Sequence, residues 1–226
     1  MRRIEAAPEL LDGPLDDELL AGNLRDLARI NRWLGGADLS ERAIAPLAMN
    51  SFVLSILDVG TGGADIPLRL ARDGREITAT DIRPEIVAAA KRVEGRGHIV
   101  VREGALADES SASFDVVHAS LVIHHLEPSA AVAFLTDMCR VARQAVVIND
   151  LDRGWRWWTG AWLLTRVATR NEYTRHDAPL SVRRAYTEKE LVRMAQQAGL
   201  RPVARYRNRP GYRYALVFVP EQQAGG

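Results

Sequence analysis

Six residues, Phe52-Val53-Leu54-Ser55-Ile56-Leu57, run straight into Asp58 and then into glycines at 60, 62 and 63. So short and compact an apolar run reads as a buried strand, and the glycines behind it read as a tight turn. Ile66 to Ala71 has the pattern of the helix that follows. A strand, a glycine turn and a helix in direct succession leave few architectures open, and the rest of the chain narrows them further.

Ile77 to Thr80 is a second strand ending at Asp81, and Pro84 is placed to open a helix through Val93. His98 to Arg102, Asp115 to Ser120 and Ala145 to Asn149 are three more short strands, with a helical pattern from Ser129 to Arg143. Such alternation implies crossover connections and a mainly parallel sheet. Upstream, Leu20, Leu24, Leu27, Ile30 and Leu34 form one apolar helix face that Gly35-Gly36 ends, and Ser40 is expected to cap a second short helix. Residues 151–186 hold four of the five tryptophans (155, 157, 158 and 162), many arginines and no clear strand. Thr187-Glu188-Lys189-Glu190 starts a helix that Gly199 stops. Strands near Val203–Arg207 and Tyr212–Val219 are joined only by Asn208-Arg209-Pro210-Gly211, too short for a crossover, so they form an antiparallel hairpin.

The predicted fold is α/β and Rossmann-like: a seven-stranded, mainly parallel sheet with an antiparallel C-terminal hairpin and helices on both faces. It is read as one domain over 1–226. An N-terminal helical cap (1–50) precedes a core (51–150), a lid or insertion (151–186), and a final helix and hairpin (187–220). Composition agrees with a globular chain: 47% hydrophobic and 26% charged residues over 226 positions. Thirty basic against 29 acidic side chains leave a charge of +1, which argues against a nucleic-acid partner. A single cysteine, Cys139, excludes an internal disulfide and a cysteine-based zinc site, and no metal is expected. The N-terminus lacks a signal peptide's apolar run and no 18-residue apolar stretch occurs, so a cytoplasmic location without stable membrane insertion is expected, and the oligomeric state is left open.

The turn itself, Leu57-Asp58-Val59-Gly60-Thr61-Gly62-Gly63-Ala64-Asp65, carries the chemistry. The dinucleotide fingerprint needs glycine at 65, where Asp65 stands, and a carboxylate beside a helix start is a poor place for a pyrophosphate. Asp58 at the strand end suits a cationic amino group, and Asp81 at the next strand end suits a pair of ribose hydroxyls.

Asp58-x-Gly60-x-Gly62, Asp81, and Phe114-Asp115-Val116-Val117 leading to His124-His125-Leu126 resemble the motif series of class I S-adenosylmethionine-dependent methyltransferases. Within these the chain looks like the ubiquinone/menaquinone-type and other small-molecule enzymes, over about Leu54 to Asp150. The resemblance implies S-adenosyl-L-methionine as cofactor. Asp58, Gly60 and Gly62 would line its methionine part, Asp81 the ribose and Ile82 the adenine, with Ser120 also in the cofactor set. Two departures stand out. Ala64 replaces a frequent third glycine, a mild change if the backbone there is helical. Ala105 follows Gly104 where an aspartate commonly holds the adenine amino group, so backbone groups of Ala105-Leu106, or Asp108, would substitute.

The expected acceptor is a small molecule, phenolic or polyketide-derived, with O-methylation favoured over C- or N-methylation. A hydroxyl acceptor benefits from a base with pKa near neutrality, which points to histidine. His118, inside a strand, reads as a packed core residue. His124 and His125 follow that strand at the carboxyl edge of the sheet, where open α/β sheets bind ligands, and Asp150 at the next strand end would orient one of them. Arg32, Trp33, Trp158, His176 and Arg183 are the candidate acceptor contacts, under a lid rich in tryptophan and arginine. A nicotinamide-dependent oxidoreductase and a non-catalytic binding module are the competing classes.

Overall fold

The computed structural model describes residues 1–5, 7–50, 53–71, 74–96 and 98–221. Phe52, the expected start of the first strand, lies outside the described residues. The elements run α1 (Asp17–Trp33), α2 (Gly36–Ile44), β1 (Leu54–Val59), α3 (Asp65–Leu70), β2 (Arg75–Asp81), α4 (Pro84–Ala90) and β3 (Ile99–Glu103). Then follow β4 (Phe114–Ser120), α5 (Pro128–Val141), β5 (Ala142–Leu151), α6 (Trp155–Ala168), α7 (Glu172–Arg184), α8 (Glu188–Gln197), β6 (Leu200–Arg207) and β7 (Arg213–Pro220).

The strands form one seven-stranded sheet in the order β3-β2-β1-β4-β5-β7-β6. Pairing is parallel from β3 to β5, while β7 is antiparallel to both of its neighbours. The order reverses between β1 and β4, which opens a crevice at their carboxyl ends. Alternating strand residues feed two cores. Leu57, Val117, Val146 and Leu216 pack with α5 and α8 through Leu135, Met138 and Leu191. Ile56, Val116, Val147 and Val217 pack on the other face with Leu39 and Ile44 of α2 and Ile66 and Leu70 of α3.

Two local expectations change, and a third segment takes a definite form. The second helix does not start at Ser40. It starts at Gly36, after Gly35 in the left-handed region (φ +74°), and Ser40 is a buried mid-helix residue. His98 stands outside β3 because its φ of +58° is left-handed. The arginine-rich stretch around His176, part of the expected lid, is the helix α7. Its N-terminus is capped by the side chain of Asn171, which accepts from the Thr174 amide. Among the described residues no helix is long and apolar enough to cross a membrane.

α8 opens on a reciprocal cap, the Thr187 hydroxyl accepting from Glu190 N–H while the Glu190 carboxylate accepts from Thr187 N–H. Thr187→Ala is expected to cost about 1 kcal/mol, read as a lower urea midpoint with an unchanged m-value.

Candidate active site

The glycine turn sits on a buried polar network. Asp58, 2% exposed at the end of β1, takes a 2.5 Å hydrogen bond from Nδ1 of His118, which is completely buried on β4. A carboxylate only accepts, so the His118 proton is on Nδ1 and its Nε2 accepts from the Ser40 hydroxyl at 2.8 Å. Ser40 in turn accepts from the Asn149 amide (2.7 Å), and the Asn149 oxygen accepts from Nε of Arg213 (2.5 Å). A second branch starts at the same guanidinium. Its Nη1 donates to Asn31 Oδ1 at 2.6 Å, and Asn31 Nδ2 donates to Asp65 at 2.9 Å. Its Nη2 donates to the Ser120 hydroxyl. His118 is thus buried as expected, but as a working part of the network.

Close approach requires glycine at two places. A Cβ on Gly36 would meet Arg213 Nη1 at 2.5 Å and Asn31 Oδ1 at 2.6 Å. One on Gly60 (φ +68°) would meet Val122 at 2.6 Å. Ala64 is not helical: at φ +56°, ψ +26° it holds the left-handed conformation that a third glycine would adopt more readily. The hydroxyl of Thr61, between Gly60 and Gly62, is buried without a hydrogen-bond partner among the described residues. Asp81 accepts from Arg83 N–H at 3.1 Å and, at 3.5 Å, from Gly62 N–H, and burial pushes its carboxyl up. Ile82 beside it is 71% exposed. Leu106 is buried in the turn after Ala105.

Next to this turn lies a cavity of about 320 Å³, walled largely by apolar side chains of α1, α6 and α7, including Leu27, Ile30, Trp157, Leu164 and Val182. His124 and His125 stand at its polar end, with Glu9 of the N-terminal segment. His124 is buried, its Nδ1 held by Asp150 Oδ1 at 2.8 Å, while His125 Nδ1 meets Asp12 at 3.1 Å. Each Nε2 lies 3.8 Å from an oxygen of Glu9. All three groups fall within 4.8 Å of one another. Two imidazoles and a carboxylate are also a donor set that suits a first-row divalent cation.

The expected acceptor contacts fall elsewhere. Trp33, 75% exposed, borders a smaller neighbouring hollow, and Arg32 is exposed. Trp158 packs edge-on against Trp155, and it is Trp157 that lines the cavity. His176 bonds Asp177 at 2.8 Å, and Arg183 lies outside the cavity wall, while its neighbour Arg184 ties Asp12 (3.0 Å) and the His125 carbonyl (2.6 Å). Glu9, Asn31, Arg213 and Asp12 carry no sequence signal of their own, because their partners lie far away in the chain.

Burial pushes the Glu9 carboxyl up to about 7, against the pull of His125, the Ser181 hydroxyl and Arg184. Burial also presses on Asp150, but His124, the Leu151 N–H and Arg213 outweigh it and hold that carboxyl below its usual range. For Glu9 the folded-state value lies above the unfolded 4.5, so the native state holds the extra proton. Its contribution is complete below about pH 4.5 and declines as pH rises to about 7. Glu9→Gln should remove up to roughly 3 kcal/mol of that decline, read from urea unfolding at pH 5 and pH 8.

Residues 56–145 match the family model described as a methyltransferase domain. No curated protein matches the chain. Among solved structures, a SAM-dependent methyltransferase from Aquifex aeolicus superposes with a TM-score of 0.63 at 17% identity, over 91% of this chain and 98% of that one. Magnesium protoporphyrin IX methyltransferase from Synechocystis PCC 6803, with bound SAH, gives 0.62 at 16%, over 91% and 100%. TnmH gives 0.64 at 20%, over 88% of this chain and 57% of that one. At these identities the superpositions establish the shared fold, and the matched domain covers the glycine turn, Asp81 and β4. Residues 56–145 are thus similar to a methyltransferase domain, and the chain shares its fold with SAM-dependent methyltransferases.

Proposed function

We propose that this protein moves a methyl group from S-adenosylmethionine to the hydroxyl of a small, largely apolar acceptor, phenolic or polyketide-derived, held in the 320 Å³ cavity. We further propose that the chain acts as one domain, in the cytoplasm, on free small molecules. The observation that carries the acceptor reading is the corner formed by His124, His125 and Glu9. With Nδ1 of each imidazole bound to an aspartate, neither Nε2 is hydrogen-bonded among the described residues, and each faces Glu9 at 3.8 Å. Buried acceptors need a donor, and an acceptor's hydroxyl supplies one.

The turn fits the cofactor's amino-acid end. Asp58 and Asp65 set two carboxyl groups at the turn with one guanidinium behind them, an arrangement that suits a ligand bearing a sulfonium, an ammonium and one carboxylate, and burial pushes the Asp65 carboxyl up. Asp58, Gly60 and Gly62 would hold that end, and the unpartnered Thr61 hydroxyl is available to it. Ser120 would act there through its bond to Arg213. Asp81 would take the ribose hydroxyls, the exposed Ile82 would cover the adenine, and backbone groups at Ala105-Leu106 would meet its edge. When bound, the cofactor supplies an electrophilic methyl carbon.

The chain's own residues do the rest. The apolar walls orient the acceptor and exclude water, which for a well-aligned displacement is worth up to roughly 7–11 kcal/mol. His124, its Nδ1 fixed by Asp150, presents Nε2 to take the hydroxyl proton, and the buried Asp150 steadies the imidazolium that forms.

Calorimetry is expected to show binding of S-adenosylmethionine and S-adenosylhomocysteine and none of NAD; binding of NAD alone would contradict the reading. Asp81→Ala should weaken cofactor binding at least tenfold. His124→Ala should leave that affinity within twofold and lower turnover of a phenol panel about 100-fold. Full turnover by His124→Ala across pH would remove histidine from the role of base.

A further inference from the structure

A hydrogen bond holds its two heavy atoms about 3 Å apart, whereas two ligands of one metal ion stand farther from each other. With bonds of about 2.0–2.2 Å to a first-row cation, neighbouring ligand atoms are separated by roughly 3–4 Å. The polar end of the acceptor cavity has the second spacing. His124 Nε2 is 3.8 Å from Glu9 Oε1, and His125 Nε2 is 3.8 Å from Glu9 Oε2. One ligand atom from each residue falls within 4.8 Å of the other two. The imidazole rings stand side by side, centroids 4.3 Å apart and tilted by 32°, with both Nε2 atoms toward the same carboxylate.

We propose that Glu9, His124 and His125 form a binding site for one first-row divalent cation such as Zn²⁺. Each imidazole is already held as a metal ligand is held. Its Nδ1 is engaged by an aspartate, Asp150 at 2.8 Å for His124 and Asp12 at 3.1 Å for His125. A carboxylate only accepts, so Nδ1 is the donor and Nε2 is the nitrogen left to meet an ion, with the ring orientation fixed from behind. Glu9 is 4% exposed, yet among the described residues no lysine or arginine lies within salt-bridge range of it. Ser181 donates to its Oε1 at 2.8 Å and orients the group.

The segment that carries Glu9 is fastened in place. The amides of Leu10 and Leu11 donate to the Asp177 carboxylate at 2.8 and 3.1 Å, and Arg83 donates to the carbonyls of Leu11 (2.5 Å) and Gly13 (3.0 Å). Three protein ligands leave coordination positions open, and these face the cavity, which is also the path of entry. The cysteine count bears only on sulfur-based sites; these donors are nitrogen and oxygen.

The site shares His124 with the proposed methyl transfer but does not rest on that reading. A cation on Nε2 takes the electron pair that would receive the acceptor's proton. Ion and acceptor therefore compete for the corner, while the cofactor's place at the glycine turn stays free. Zn²⁺ is expected to inhibit this methyl transfer by displacing the acceptor.

The test begins with the full chain, treated with EDTA, desalted and titrated calorimetrically with ZnCl₂. The parent should bind one Zn²⁺ per chain. Glu9→Gln and His125→Ala, each with unchanged far-ultraviolet circular dichroism, should bind it about tenfold more weakly or worse. A second measurement needs no variant: at one equivalent of Zn²⁺, the Nε2 resonances of two of the five histidines, His124 and His125, should shift in ¹⁵N NMR. A parent that binds no Zn²⁺, variants that bind it as the parent does, or unmoved His124 and His125 resonances would each overturn the proposal. Methylation of a phenol separates this site from the base reading. Zn²⁺ bound at the corner with undiminished turnover would support the cation site and remove His124 as base. Absence of Zn²⁺ binding in an enzyme that His124→Ala inactivates would remove the cation site alone.

Discussion

A buried guanidinium holds this site together. Arg213 is 1% exposed, at the start of the one antiparallel strand, and no carboxylate touches it among the described residues. A charge so deep in a protein is expensive unless its field is answered. Here the answer travels along two hydrogen-bonded branches, each donated in one direction from the cation to an anion: through Asn149, Ser40 and His118 to Asp58, and through Asn31 to Asp65. Bonds aligned in this way polarise one another, so the two carboxylates of the turn feel a cation they do not touch. The same side chain binds Ser120 at the end of β4. It thereby fixes α1, α2, β1, β4, β5 and β7 relative to the glycine turn.

This arrangement explains why the sheet ends in a hairpin that places β7 beside β5. Parallel βα units could supply the turn and Asp81, but the cation arrives from the far end of the chain, and β7 must sit in the sheet next to β5 for Arg213 to reach Asn149. The crevice where the strand order reverses then has an acidic side, at Asp58 and Asp65, while Arg213 and Leu121 reach the wall of the cavity under α6 and α7. At the cavity's other end His124 and His125 are presented by a short turn after β4, backed by Asp150 from β5 and Asp12 from the N-terminal segment.

Much of this was legible in the sequence. Apolar runs of strand length ending in Asp58, Asp81 and Asp150, with helical patterns between them, specify the sheet, because local periodicity and turn chemistry act over a few residues. The short Asn208–Gly211 connection specifies the antiparallel end for the same reason. What escaped was of two kinds. Helix α7 is not legible as a helix because Pro179 and a run of charged residues hide its period, whereas Tyr173, Thr174, Asp177 and Ser181 are in fact buried against the N-terminal segment and α1. The choice of Trp158 over Trp157 failed for a related reason: neighbours on a helix face different ways, and the facing depends on how α6 docks. Glu9, Asn31 and Arg213 were invisible because their meaning is long-range. Arg213 meets Asn31 across 182 positions of the chain, and Glu9 meets Ser181 across 172.

The central claim is that the directed network from Arg213 prepares the turn for the cofactor. Arg213→Lys tests it most directly, because lysine keeps the charge but cannot donate in three fixed directions. Calorimetric titration of S-adenosylhomocysteine into a variant with unchanged far-ultraviolet circular dichroism should show affinity at least tenfold weaker than the parent. Parent-like affinity in a natively folded Arg213→Lys protein would contradict the account.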